Sequence, residues 1–421
     1  MEYDAGATAW VLISSALVLF MTPGLALFYG GMTRSKNVLN MLMMNVYCMG
    51  IIPVLWVILG FTLAFGASGD AGWIGDFEFF GAKDLYTALP GDLGSGGFFE
   101  ALTIPLVVFI VFQLTFAVIT PALISGAVAD RMKFAAWALF IPLWALLVYS
   151  PVAHWVFAGG WLADLGALDF AGGAVVHMNA GAAALALVLL LGKRKGWPAT
   201  PMPPHNLTMT MLGTGILWFG WFGFNAGSAL AADGIAAAAF LNTFVAAAAG
   251  MVAWLIVEWI KDGHPTTLGA CSGAVAGLVA ITPCAGFVGG LAPLYIGLGV
   301  GVVCYFAIQM KYKFGYDDSL DVVGVHLIGG LFGTLALGLF ADATINPLVV
   351  DEGLFLGGGT ALLVDQAIAA AAVIGFAFVA TLIIGKLIDM TIGLRVSESD
   401  EQVGLDQSQH AESGYNLADH S

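Results

Sequence analysis

The chain has 421 residues, of which 60% are hydrophobic and 10% are charged, and its mean hydropathy is +0.92. Soluble domains carry roughly 25% charged residues, so this composition excludes an ordinary soluble protein and predicts an all-α integral membrane protein. The formal net charge of -15 argues against a nucleic-acid partner, because an acidic surface repels phosphate.

Eleven apolar stretches follow one another along the chain, and most are near the roughly 20 residues that cross a bilayer as a helix. Lysine and arginine gather in cytoplasmic loops, so their positions test this count. With eleven spans, every Lys and Arg except Lys83 falls on one side of the membrane. The sequence therefore predicts an external amino terminus and a cytoplasmic carboxyl terminus. The predicted spans are 7–32, 38–66, 100–128, 134–157, 172–192, 207–229, 235–259, 265–283, 290–310, 322–341 and 360–388.

This topology divides the chain into a transmembrane domain, residues 1–392, and a cytoplasmic tail, residues 393–421. The four cysteines lie in or at the ends of predicted spans and lack the close paired spacing of a metal site or a disulfide framework. We therefore expect neither a bound metal nor a cofactor.

Two histidines lie inside apolar, glycine-rich stretches, and each follows an aspartate. His177 lies in the fifth predicted span and follows Asp169, and His326 lies in the tenth and follows Asp321. An ionisable side chain inside a membrane is costly and by default marks a path for protons, ions or polar substrates. The two spans run in opposite directions, so the motifs are related as in an inverted repeat, whose functional site lies near the midplane.

Two other interpretations of His177 and His326 stay open on this pattern alone. The pair could be an interhelical hydrogen bond that only stabilises the bundle. It could also ligate a haem through both imidazoles in a membrane redox enzyme, which predicts a Soret band in the purified protein.

Aromatic side chains form a second constellation. Phe112 and Phe116 stand four residues apart in the third span, while Trp221, Phe224 and Ser228 share one side of the sixth. Aromatic faces attract cations, and a hydroxyl oxygen accepts an N–H. The alternative is ordinary core packing, for which aromatic stripes at this spacing are common.

Six segments carry a resemblance to the ammonium transporter family, also called the Amt/Mep/Rh family, and the resemblance extends over nearly the whole chain. The resemblance implies eleven spans arranged as a five-plus-five inverted repeat with a final helix. It also implies a homotrimer with one pore per subunit in the plasma membrane. The segments are PGLALFYGGMTRSKNVL (23–39), FQLTFAVIT (112–120), GALDFAGGAVVHMNAG (166–181), GWFGFNAGS (220–228), LGACSGAVAGLVAITP (268–283) and DDSLDVVGVH (317–326).

The resemblance also assigns roles to individual residues. One departure concerns Phe157, which stands where many bacterial members have tryptophan, and benzene offers a weaker cation-binding face than indole. The implied sites are the twin pore histidines His177 and His326, the phenylalanine gate Phe116 and Phe224, the ammonium recruitment site Phe112, Phe116, Phe157 and Ser228, and the supporting residues Asp169, Trp221 and Asp321.

The function expected from this resemblance is transport, and no enzyme activity is expected. Ammonium is recruited at the outer aromatic site and loses a proton, and ammonia then passes the two histidines, which relay the proton. Methylammonium is a further candidate substrate. The runner-up is an ammonium sensor that signals through its cytoplasmic tail.

The tail segment GLDQSQHAESGYN (404–416) resembles the regulatory end of the family, which in many members meets a PII signalling protein. Ala411 replaces a common glycine, and Gly414 is inserted before Tyr415. Contact with PII is therefore one expectation, and a solvated acidic tail is the other.

Overall fold

The computed structural model describes residues 3–67, 72–87 and 102–415, and within these ranges it contains helices and loops but no β-strand. In this described part of the chain, ten helices are long and apolar enough to cross a bilayer, and Thr267–Ile281 is a further, shorter apolar helix. The apolar helices are α1 (Ala5–Met32), α2 (Ser35–Phe65), α3 (Leu106–Val128), α4 (Phe134–Leu165), α5 (Gly173–Leu191), α6 (Leu207–Ala229), α7 (Gly234–Asp262), α8 (Thr267–Ile281), α9 (Ala292–Phe314), α10 (Val323–Phe340) and α11 (Ala361–Thr391), and two tail helices follow, α12 (Glu398–Val403) and α13 (Leu405–His410).

Each predicted span coincides with one of the helices α1 to α11, and the all-α membrane fold is confirmed. The third helix begins later than predicted, because Pro105 at its N-cap favours extended backbone in the residue before it. Residues 100 and 101 of that predicted span lie outside the described residues.

Prolines set the local path of two membrane helices. Pro53 in α2 and Pro142 in α4 are each followed, three residues later, by a π-helical turn, at Trp56–Gly60 and at Ala145–Tyr149. Proline has no backbone N–H, so the helix loses one hydrogen bond there, and the adjoining turn is free to widen.

A buried ion network lies on the face of the bundle that carries the tail, called the tail face below. Arg194 donates to Asp317 (Nη2 to Oδ1 2.8 Å), and Arg131 donates to the backbone oxygen of Asp317 (Nη2 to O 2.6 Å). Burial opposes ionisation of Asp317, but the hydrogen bonds and charges of these two arginines outweigh it and hold the pKa of Asp317 below its ordinary value. The network joins the loops that follow α3, α5 and α9.

The tail helices dock on this face. Leu405 is fully buried, and its N–H donates to Asn37 Oδ1 at 2.8 Å. Glu401 is 1% exposed and accepts from Arg395 Nη2 at 2.7 Å. The expectation of a solvated tail is therefore wrong for Glu401 and residues 404–406, whereas residues 411–415 are exposed and residues 416–421 lie outside the described part of the chain.

Candidate functional site

The imidazoles of His177 and His326 meet inside the bundle. Their Nδ1 atoms are 3.3 Å apart, so one ring donates its Nδ1 hydrogen to the other. The ring centroids are 5.3 Å apart with 25° between the planes, and the residues are only 1% and 4% exposed. The two residues predicted from the inverted motifs are thus brought into direct contact.

Local helix geometry explains how α5 and α10 approach closely enough for this contact. Each histidine lies in a π-helical turn, Gly173–Met178 or Val323–Leu327, and such turns are frequent at functional sites. A glycine follows each histidine by four residues. A Cβ on Gly181 would be 2.4 Å from the backbone nitrogen of Leu327, and a Cβ on Gly330 would be 3.1 Å from the Cβ of His177. Only the missing side chains let the helices cross here.

Aromatic rings continue the stack on one side of the histidine pair. His177 stacks on Trp221 (centroids 5.4 Å, 23°) and lies parallel to Phe224 (6.0 Å, 18°). The indole N–H of Trp221 donates to Thr282 Oγ1 at 2.9 Å, which fixes the ring. Trp221 therefore supports the imidazole as a flat apolar wall.

A small cavity, called the inner cavity below, lies against the histidines. Its volume is about 10 Å³, which is close to the space that one water molecule requires. Apolar residues including Leu25, Leu217 and Val275 line it together with both histidines. A porphyrin does not fit this volume, and the two Nδ1 atoms bond each other, so the haem interpretation does not agree with the site.

A wider cavity, called the vestibule below, lies on the other side of two phenylalanine rings. Phe116 lines the vestibule, Phe224 lines the inner cavity, and their ring centroids are 4.4 Å apart. The rings are in contact and separate the two cavities. The vestibule has a volume of about 670 Å³.

Three of the residues expected at the recruitment site line the vestibule, and one does not. Phe116, Phe157 and Ser228 contribute to its wall, and the hydroxyl of Ser228 donates to Phe224 O at 2.8 Å. Phe112 is fully buried and packs edge-on against Phe116 with centroids 4.9 Å apart. It supports the gate ring from behind, so its expected place on the binding surface is wrong.

Asp169 holds the beginning of α5. Its two carboxylate oxygens accept the backbone N–H groups of four successive residues at 2.7 to 3.2 Å, from Gly172 to Val175. A helix start leaves its first N–H groups without partners in the helix, and a carboxylate satisfies them and favours the positive end of the helix dipole. Burial raises the pKa of Asp169, although the four N–H donors oppose this rise.

The counterpart of Asp169 at α10 is Asp318, and not Asp321 as the paired motifs predict. Asp318 Oδ2 accepts the N–H of Val323 at 2.7 Å, while Asp321 accepts from Lys311 Nζ at 2.6 Å on the tail face. Burial and the nearby charge of Asp321 raise the pKa of Asp318 above its ordinary value, although Lys311 opposes this rise. Asp318 lies eight residues before His326, and Asp169 likewise lies eight residues before His177. This equal spacing is the feature of the sequence that identifies Asp318 as the counterpart of Asp169.

Several further residues of the site were not predicted from the sequence. The glycines four positions after each histidine form a repeated H-x-x-x-G pattern that the sequence displays. Thr282 and Gln113 give no such signal, because nothing local indicates that Thr282 meets Trp221 or that Gln113 lines the vestibule.

Comparison with known proteins supports the resemblance independently. The family model described as Ammonium Transporter Family matches residues 9–415. An ammonium transporter of Mycobacterium tuberculosis is 53% identical over 99% of this chain and 91% of its own length, and one of Bacillus subtilis is 50% identical over 97% and 98%.

Solved structures agree with these relatives. Saccharomyces cerevisiae Mep2 has a TM-score of 0.89 at 33% identity and covers 100% of this chain and 94% of its own. A structure titled Sensor Amt Protein has a TM-score of 0.87 at 27% identity and covers 96% and 98%. The chain therefore belongs to the ammonium transporter family, and it is a multi-pass membrane protein that transports ammonium rather than an enzyme.

Proposed function

We propose that nitrogen crosses the constriction as neutral ammonia, after ammonium has given up a proton in the vestibule. The observation that carries this proposal is the inner cavity. Among the described residues that line it, the polar side-chain atoms are the imidazole nitrogens of His177 and His326 and the indole N–H of Trp221, which already binds Thr282. No carboxylate belongs to this lining.

Energetics favour deprotonation before entry. Burying an ion in an apolar site without a counter-charge is far more costly than burying a small neutral molecule that finds hydrogen-bond partners. The vestibule supplies what the ion requires, namely the aromatic faces of Phe116 and Phe157 and the hydroxyl of Ser228. The ion is stabilised there and excluded from the inner cavity.

The histidine pair supplies both kinds of hydrogen-bonding group that ammonia uses. Because one Nδ1 donates to the other, each ring holds a defined tautomer, and the remaining Nε2 atoms present one donor and one acceptor. His177 Nε2 is buried and has no hydrogen-bond partner within the part of the chain that the structure describes. A proton passed along this pair would reach the far side separately from ammonia.

Current and pH recordings on reconstituted vesicles after an ammonium jump test this mechanism. We expect uptake of ammonium and no comparable uptake of potassium, because potassium has no proton to surrender. If the two cations are taken up equally, the deprotonation scheme fails. A recorded current would show that the separated proton also crosses.

We infer that the vestibule faces the outside and the tail face the cytoplasm of the plasma membrane. The arginines of the tail-face network and its tail contacts then lie on the cytoplasmic side, as the positive-inside rule predicts; they are Arg131, Arg194 and Arg395.

We also propose a homotrimer. Apolar side chains on α6 and α7, such as Phe219 and Phe244, are exposed and can contact lipid or a neighbouring subunit. Light scattering of the protein in detergent tests the assembly, and we expect the molar mass of three chains.

We propose that residues 393–421 form a regulatory tail that a PII protein recognises. The docked helices α12 and α13 support this proposal, because a bound partner would meet a defined surface where Lys195 Nζ pairs with Glu398 at 2.8 Å. A pull-down with PII in different nucleotide states tests it. Capture in no nucleotide state would contradict a PII role.

A sensor is the second candidate function, favoured by the likeness to the structure titled Sensor Amt Protein. In a sensor, the docked tail would report occupancy of the vestibule. Ammonium flux in a protein that lacks the tail separates the two functions, since robust flux would exclude sensing as the sole role.

A further inference from the structure

The vestibule is far larger than the cargo that the inner cavity admits. Its volume is about 670 Å³, against about 10 Å³ beside the histidines. Pockets of roughly 300–1,000 Å³ hold organic molecules of drug size. The outer cavity therefore has space for a ligand much larger than ammonium.

The wall of the vestibule is chemically suited to an organic cation. Phe157, Phe170 and Phe287 line it, and the last two meet edge to face with centroids 5.3 Å apart. Asp351 adds an exposed carboxylate to the same wall. Aromatic faces bind both an apolar group and a cationic head, and the carboxylate favours positive charge.

Gln113 supplies an unused polar group in this wall. The residue is 9% exposed and lines the vestibule, and none of the described residues donates a hydrogen bond to its Oε1. A half-turn about the last side-chain torsion exchanges the two ends of the amide without changing its shape, so the oxygen can face the cavity. In that orientation Oε1 can accept a hydrogen bond from an N–H group bound in the vestibule.

Ser228 provides a second acceptor. Its hydroxyl hydrogen is directed to Phe224 O, so the lone pairs of Oγ stay available to a donor in the vestibule. Gln113 and Ser228 both line the cavity that Phe116 closes. Two acceptors and a set of aromatic rings suit an ammonium head with at least two N–H donors and an apolar substituent.

We propose that the vestibule is a binding site for primary organic ammonium ions with an aromatic or bulky apolar group, such as phenethylammonium. The head donates to Gln113 Oε1 and Ser228 Oγ, and the apolar group lies on the phenylalanine rings. Such an ion cannot pass, because Phe116 and Phe224 are in contact and the inner cavity holds only one water-sized molecule. It therefore binds and blocks.

Calorimetry on the purified full chain tests the binding without any reliance on transport. Three probes of similar size separate the contribution of the positive charge from that of the N–H donors. They are phenethylammonium, phenyltrimethylammonium, which has charge but no N–H, and phenethyl alcohol, which has no charge. We expect phenethylammonium to bind at least about tenfold more tightly than either of the others, because only its head combines a positive charge with N–H donors. Equal binding of phenyltrimethylammonium would overturn the role of the N–H donors.

Variants locate the site. Gln113→Leu is expected to weaken phenethylammonium binding by about tenfold, and Gln113→Glu is expected to strengthen it, because a carboxylate attracts the cation. Gln309→Leu, at the tail-face end of α9, is the matched control and should bind as the wild type does. Unchanged binding in both Gln113 variants would overturn the proposal.

Block is the second measurement, and it rests on the proposed function. Phenethylammonium should inhibit ammonium flux in vesicles competitively, with an inhibition constant that follows the calorimetric affinity across the Gln113 variants. If binding follows the prediction but ammonium flux does not discriminate against potassium, the deprotonation scheme fails while the vestibule site stands. Binding without inhibition would place the ligand elsewhere and overturn the site.

Discussion

His177→Leu and His326→Leu are each expected to lower ammonium flux in reconstituted vesicles by at least roughly 100-fold. Leucine keeps the constriction closed to water but removes the nitrogen atoms that bind ammonia there. Loss of one or two hydrogen bonds worth roughly 1–1.5 kcal/mol each, together with an unpaired partner imidazole, gives this magnitude, since each 1.36 kcal/mol is a factor of ten in rate.

The double variant gives a sharper form of the same prediction. The two imidazoles share one Nδ1 to Nδ1 hydrogen bond of 3.3 Å, so they act as a unit. Losses from residues that act as a unit do not add, and the double variant should be impaired about as much as either single variant. Met21→Leu, which exchanges one apolar lining residue for another, is the control and should retain flux.

Flux near the wild-type level in a correctly assembled His177→Leu protein would contradict the proposed role of the pair. Such a result would favour the interpretation in which the histidines only stabilise the bundle. In that case the variants should instead lower the unfolding temperature. Flux and thermal unfolding are therefore measured on the same preparations.

Asp169→Ala is expected to destabilise the protein by about 3–5 kcal/mol and to abolish transport. The carboxylate accepts four backbone N–H groups, and alanine leaves all of them without their partner at a buried helix start. Water from the vestibule, which Asp169 lines, offsets part of this loss. Transport fails because Val175, which binds the carboxylate, lies only two residues before His177.

Intrinsic tryptophan fluorescence during heating in detergent measures the effect, and the unfolding midpoint should fall by at least about 5 °C. Asp169→Asn keeps one acceptor oxygen but turns an amide N–H₂ towards two backbone donors, so an intermediate loss is expected. Asp164→Ala is the matched control, because Asp164 is exposed at the end of α4. A midpoint for Asp169→Ala equal to that of the control would exclude the capping role.

Several properties of this protein are local in the sequence, and the sequence alone determines them. The number and order of the apolar helices follow from hydrophobic length, because each span must satisfy its own backbone hydrogen bonds in lipid. His177 and His326 are conspicuous because ionisable groups are rare in such stretches. The family resemblance rests on segments spread over nearly the whole chain, and both the family and the fold class are confirmed.

Only the tertiary structure decides which face each side chain presents and what it meets. Phe112 and Phe116 share a helix face, yet the crossing of α3 with its neighbours buries Phe112 behind the gate ring and exposes Gln113 to the vestibule. Asp318 and Asp321 are three residues apart, but the left-handed backbone at Asp321 (φ 65°) helps direct it to Lys311 and leaves Asp318 to hold α10. These outcomes depend on the rotation of α3 about its axis and on the backbone path between α9 and α10, and the length and hydrophobic pattern of the spans specify neither.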